Sequence, residues 1–197
     1  MISAIVGINV YEALGESSDT SKNIKMWIGM VTIAPIFEEL AFRLLLKKSK
    51  INYIVSLTLM LSYIFILFFD LPNYFPFIEK LPFKFIGYLP FLLLFVLLSF
   101  FSYMYLFKDT YHSVSVKKLL YATSILFAVL HFTNFNDIQL IHIILFPLLI
   151  AHHFVFGVLA GYLRLKLGLK WAVYFHGLNN MIAVFFMAFK HFSELYL

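Results

Sequence analysis

An all-α fold, a polytopic transmembrane bundle of about six to seven helices, is what this sequence predicts, and three observations carry that prediction. Of its 197 residues 62% are hydrophobic and 20% aromatic, with a mean hydropathy of +0.91; a soluble domain is nearer to about 45–50% apolar. Apolar runs of about 17–30 residues, long enough for a hydrocarbon core of roughly 30 Å, are separated by short polar or proline-bearing segments. No stretch alternates polar and apolar residues as a barrel strand does. In lipid every backbone polar group must be satisfied within the spanning structure, which leaves helices.

The elements follow in order. Residues 1–14 lack a basic leading region and a small-residue cleavage site, so they read as a short first helix and not as a signal peptide. Residues 15–25 form a polar loop. Spans are expected at 26–46, 51–69, 88–107, 118–134, 138–165 and 170–190. Between them lie a basic turn at 47–50, an aromatic interfacial loop at 70–87 with Pro72, Pro76 and Pro82, and polar turns at 108–118, 133–137 and 164–170. Pro147 within 138–165 predicts a kink, a tilt or two pieces. No internal repeat is visible, and a single domain is expected over 1–197, its core at about 26–190.

The net charge of +5 is spread over short loops. That suits orientation in an anionic bilayer, not nucleic acid. If Lys47 faces the cytoplasm, alternation places nine basic loop residues inside and five outside, which favours a cell-membrane protein of this orientation. There is no cysteine, which excludes a thiol nucleophile, a disulfide frame and thiolate metal sites.

Function is read from polar groups at membrane depth. Glu38, Glu39 and Arg43 share one span, and an ionisable group at the bilayer centre costs at least about 2.5–3.5 kcal/mol on insertion scales. On a helix Glu39 and Arg43 are i, i+4 neighbours, whereas Glu38 and Arg43 diverge by about 140°. Arg43 therefore neutralises Glu39 and leaves Glu38 on another part of the surface. Later spans contribute His131, four residues after Phe127, and the i, i+4 pair His176 and Asn180; Asn179 is a weaker candidate. At 1.5 Å per residue, Glu38 lies about 13 Å from Lys47, His131 about 19 Å from Lys118, His176 about 9 Å from Lys170, and Asn180 about 15 Å from it. The groups share a layer that a cavity opening to the cytoplasm would hydrate. His152 and His153 stand upstream of Gly157 and Gly161, whose spacing reads as close helix packing, and one of the two histidines is a candidate for the same cavity.

Together these residues resemble the CAAX-protease and bacteriocin-processing (CPBP, Abi) family of intramembrane proteases, which includes the Ras-converting CAAX endopeptidase. The motif EExxxR is matched by Glu38, Glu39 and Arg43, FxxxH by Phe127 and His131, and HxxxN by His176 and Asn180. The resemblance runs from about residue 26 to 185. It implies an endopeptidase of membrane-associated peptides or proteins, reached from the cytosolic side. Glu38 with His131 would activate water, His176 and Asn180 would stabilise the oxyanion, and Glu39 and Arg43 would support them. Glu38, His131 and His176 also form a candidate three-ligand set for zinc, although no H-E-x-x-H helix is present. The resemblance favours a glutamate-activated water without metal. The rival readings are a non-catalytic bacteriocin-immunity or scaffold protein of the same family, and a proton-coupled transporter, which would call for repeated halves.

Overall fold

The computed structural model describes residues 20–69, 88–131 and 144–196. The expected first helix at 1–14, the aromatic loop at 70–87 and the turn at 133–137 lie outside them. The described residues are all helical or in turns: α1 (Thr20–Arg43), a 3-10 turn (Leu44–Leu46), α2 (Lys50–Phe68), α3 (Leu89–Phe101), a π-helical stretch (Ser102–Phe107), α4 (Lys108–Ser113), α5 (Val116–His131), α6 (Phe146–Lys166) and α7 (Leu169–Tyr196). Four stretches are long and apolar enough to cross a membrane: Lys50–Leu67, Leu89–Ser113, Phe146–Lys166 and Leu169–Phe189. The other two main helices are α1, which contains Glu38, Glu39 and Arg43, and α5, which is described over Val116–His131.

Three boundaries differ from the sequence reading. The expected loop at 15–25 is helical from Thr20, since Lys22, Asn23 and Lys25 tolerate a helical first turn outside the apolar run. The expected turn at 108–118 is mostly α4, which continues α3 through the π-helical stretch. Within the expected run 138–165 a helix starts at Phe146, and Pro147 sits in its first turn, where its missing N–H would be unbonded anyway, which fits the two-piece alternative and not the kink; residues 138–143 lie outside the described residues.

α1 is the hub, packed against α2, α5 and α7, while α5 pairs with α6 and α2 with α3. Small and polar residues make these approaches possible, as expected for helices that cannot rely on hydrophobic contrast in lipid. Ser56 of α2 donates its hydroxyl to the Ala41 carbonyl of α1, and Thr58 donates to Ser99 of α3 at 3.1 Å. Gly157 and Gly161 bring α6 against α5. A Cβ at Gly157 would meet the Ser124 backbone at 3.2 Å and Arg43 Nη2 at 3.1 Å, and one at Gly161 would strike the Leu120 side chain.

The α1–α7 seam has a different device. Pro35 lies inside α1 and has no N–H, so the Val31 carbonyl loses its i+4 donor. α7 packs against that spot. A Cβ at Gly177 would lie 2.9 Å from Val31 O, and Asn180 Nδ2 donates to the Met30 carbonyl at 2.9 Å. At one end of the bundle, Lys48 Nζ donates to the His112 carbonyl at 2.7 Å and Tyr111 OH to the Leu45 carbonyl at 3.0 Å. The α1–α2 turn, with Lys47 and Lys48, thus lies beside the α4–α5 turn, whose flanking helices carry Lys108, Lys117 and Lys118. The hydrophobic core, Ala41, Phe42, Met60, Tyr63, Phe127 and Leu130, sits beside the acidic pair.

Ala at Gly157 or Gly177 is expected to cost about 1–3 kcal/mol through overpacking against backbone. Gly161→Ala, which meets only leucine side-chain ends, should cost less. Thermal midpoints of the detergent-solubilised variants give the ranking.

Candidate active site

The site is built on α1 and closed by α5 and α7. Glu39 and Arg43, one turn apart, form the expected ion pair, with Arg43 Nε 3.3 Å from Glu39 Oε2 and both side chains fully buried. The guanidinium is held from two more directions. Nη1 donates to Thr123 Oγ1 at 3.5 Å, and its carbon lies 5.2 Å from the centre of the Phe127 ring. Phe127 is also packed edge-on by Phe42, ring centres 5.4 Å apart.

The spacing FxxxH has a visible reason. One turn along α5, His131 Nδ1–H donates to the Phe127 carbonyl at 2.8 Å, and its ring lies on the Phe127 ring at 4.2 Å between centres. A carbonyl only accepts, so the proton of a neutral His131 resides on Nδ1 and the Nε2 lone pair faces away. Nε2 comes 3.7 Å from Glu38 Oε2. His176 repeats the arrangement from α7: Nδ1 lies 3.0 Å from Glu39 Oε1, to which it donates, and Nε2 is 3.6 Å from the same Glu38 Oε2. Glu39 thus ties α1 to α7 and orients His176, while Glu38 takes no part in the Arg43 pair.

Glu38, His131 and His176 therefore converge, with Glu39 and Arg43 behind them. At 3.6–3.7 Å the Glu38–imidazole separations exceed a direct hydrogen bond, and Glu38 Oε2 is buried without a hydrogen-bond partner. Two ring lone pairs and a carboxylate oxygen are acceptors only. A small donor such as a water molecule complements them. The same three acceptors are of the kind that ligate zinc; among the described residues no group of three or more His, Asp or Glu side chains is drawn together closely enough to hold a metal ion in this structure.

Asn180 stands apart from this convergence, since its amide nitrogen is bound to the Met30 carbonyl on α1. Sequence reasoning gave little weight to His153 and none to Thr123. His153 reaches the cluster, its ring centre 4.4 Å from that of His131. Its position one turn before Gly157, the glycine that touches Arg43, was the available signal.

A buried carboxylate stripped of its cation is costly, so Arg43→Met should destabilise the protein by about 3–5 kcal/mol. The double variant with Glu39→Gln should recover a large part of that loss. Paired denaturation midpoints measure the coupling.

A comparison with protein-family models finds a match to the type II CAAX prenyl endopeptidase Rce1-like family over residues 20–182. No curated protein and no solved structure matches the chain. The matched segment runs from the first residue of α1 to beyond Asn180 and contains every residue of the cluster. On that extent of match, the chain belongs to the type II CAAX prenyl endopeptidase Rce1-like family.

Proposed function

We propose that the protein is an intramembrane endopeptidase that hydrolyses a peptide bond of a membrane-associated peptide or protein by glutamate-activated water. The observation that carries this reading is the convergence of His131 Nε2 and His176 Nε2 on one oxygen of Glu38, at 3.7 and 3.6 Å, with both Nδ1 atoms engaged elsewhere.

A water held among these three atoms donates one hydrogen to Glu38 and one to His131. As its oxygen bonds to the scissile carbonyl carbon, Glu38 takes the proton as general base. His176 is the ring suited to the developing oxyanion: its Nε2 lies 3.6 Å from Glu38 Oε2, so the one proton that Glu38 has taken from the water is shared with Nε2 and turned toward the oxyanion, while Nδ1 stays bound to Glu39. A preorganised donor of this kind is worth about 3–4 kcal/mol in a water-poor site. Glu38 then passes its proton to the departing amine nitrogen as the C–N bond breaks. The peptide bond is exchanged for a carboxylic acid and an amine, and Glu38 returns to its starting form. Asn180 serves by fixing α7 on α1 one turn from His176, and Glu39 and Arg43 hold the imidazole and the fold.

The family's description names CAAX prenyl substrates, so a farnesylated peptide ending in a CAAX sequence is the first probe, with the unprenylated peptide beside it. In proteoliposomes the wild type should cleave the probe, read by mass spectrometry. Glu38→Gln, nearly isosteric, should lower kcat by about 10²–10⁴-fold while the thermal midpoint holds. Equal turnover by the variant would remove Glu38 from the chemistry. A cellular phenotype retained by Glu38→Gln would favour the immunity or scaffold reading.

A further inference from the structure

Among the described residues, the accessible surface of the buried cluster does not lie on the side of the basic turns. Between Glu38 and the α1–α2 turn the bundle is plugged. Glu39, Phe42 and Arg43 are fully enclosed, and Leu44 and Leu46 are buried. Leu46 and Leu120 crowd Gly161. Thr123 and Ser124 are buried with their hydroxyls turned back to the Leu120 carbonyl. Tyr111 closes on the Leu45 carbonyl, and Lys48 on the carbonyls of His112 and Val114. This stopper spans the nine residues from Glu38 to Lys47, about 13 Å of helix.

Accessible surface appears at the other end. Side-chain exposure is 14% at His131 and 10% at Glu38, falls to 4% at His176, and is zero at Glu39 and Arg43. His131 closes α5 at the end remote from Lys117 and Lys118. Beyond it the imidazoles continue: the His153 ring is 4.4 Å from that of His131, the His152 ring is 3.6 Å from that of His153, and His152 is exposed. Both belong to α6, about 20 Å of helix before Lys166. An exposed imidazole in the hydrocarbon layer is costly unless water reaches it. His153 Nδ1 is buried without a partner, the kind of polar atom that an ordered water satisfies.

We propose that the cluster is entered from the half of the membrane opposite the basic turns, through an aqueous mouth lined by His131, His153 and His152. Water and a peptide segment approach Glu38 from the face on which α6 begins. The word substrate here rests on the endopeptidase reading; the route itself rests on packing and exposure. This reverses the expectation of a cavity opening beside Lys47.

The chain has no cysteine, so single thiols introduced into these 197 residues report access without any background to remove. His152→Cys and His153→Cys mark the mouth, Lys47→Cys the basic turn, and Ser124→Cys the stopper. Each is treated with a membrane-impermeant cationic methanethiosulfonate in sealed vesicles of both polarities, after its thermal midpoint confirms folding. Cysteines at 152 and 153 should react at least about tenfold faster in the polarity opposite to the one that exposes position 47, with position 124 inert in both. Reaction of 47, 152 and 153 from the same side overturns the proposal, as does inertness of both 152 and 153. The readout needs no proteolysis, so a protein that fails to cleave peptides can still show the mouth, and an active one can still lack it.

Discussion

A carboxylate and a guanidinium lie side by side in the middle of a bundle whose surroundings are hydrocarbon and aromatic rings. Glu39 and Arg43 are both fully buried, and an isolated charge in such a place is worth several kcal/mol of instability. Their mutual attraction, the Thr123 hydroxyl and the face of Phe127 offset that cost, and the same contacts fix three helices. Glu39 also reaches His176 on α7, and Phe127 places His131 on α5. Remove the pair and the two imidazoles lose the frame that aims them at Glu38. Glu38 stays out of the pairing because helical geometry turns it away from Arg43, and that separation leaves one acid with no cation to neutralise it.

The rest of the packing serves the closeness these contacts need. Gly157 admits Arg43 beneath α6, Gly161 admits Leu120 and Leu46, and Gly177 admits a backbone carbonyl that Pro35 left without its donor. Large side chains at these places would hold the helices apart by an ångström or more, and a site made of three helices would then have no common centre. Lipid offers helices little reason to associate, so short contacts and shared polar groups must supply it.

Much of this was legible from local pattern. The helical period alone separated Glu38 from the Glu39–Arg43 pair, and the placement of Glu38, His131 and His176 within one layer about 10 Å thick anticipated their meeting. GxxxG read correctly as close packing. What the pattern did not contain were contacts set by the rotation of one helix against another. Nothing local says that His176 meets Glu39, 137 residues away, that Asn180 finds the Met30 carbonyl, or that His153 and not a solvated surface lies beside His131. The helical start at Thr20 was missed because polar residues at a span's edge carry no period of their own, and the π-helical stretch at Ser102–Phe107 lay inside the expected span 88–107 with no local signal of its own.

The turn between α6 and α7 ties several of these features together. Only Leu167 and Gly168 separate the two helices, and Gly168 holds φ +105°, a left-handed conformation that a side chain disfavours. Its N–H closes on the Leu163 carbonyl, and its own carbonyl accepts from Trp171. The azimuth of α7 about its axis is therefore dictated at a hinge-free elbow about 12 Å from His176. One extra residue there would swing every side chain on α7 by about 100°, turning the imidazole toward lipid. The handedness of a single remote backbone unit is thus part of how the geometry around Glu38 is specified.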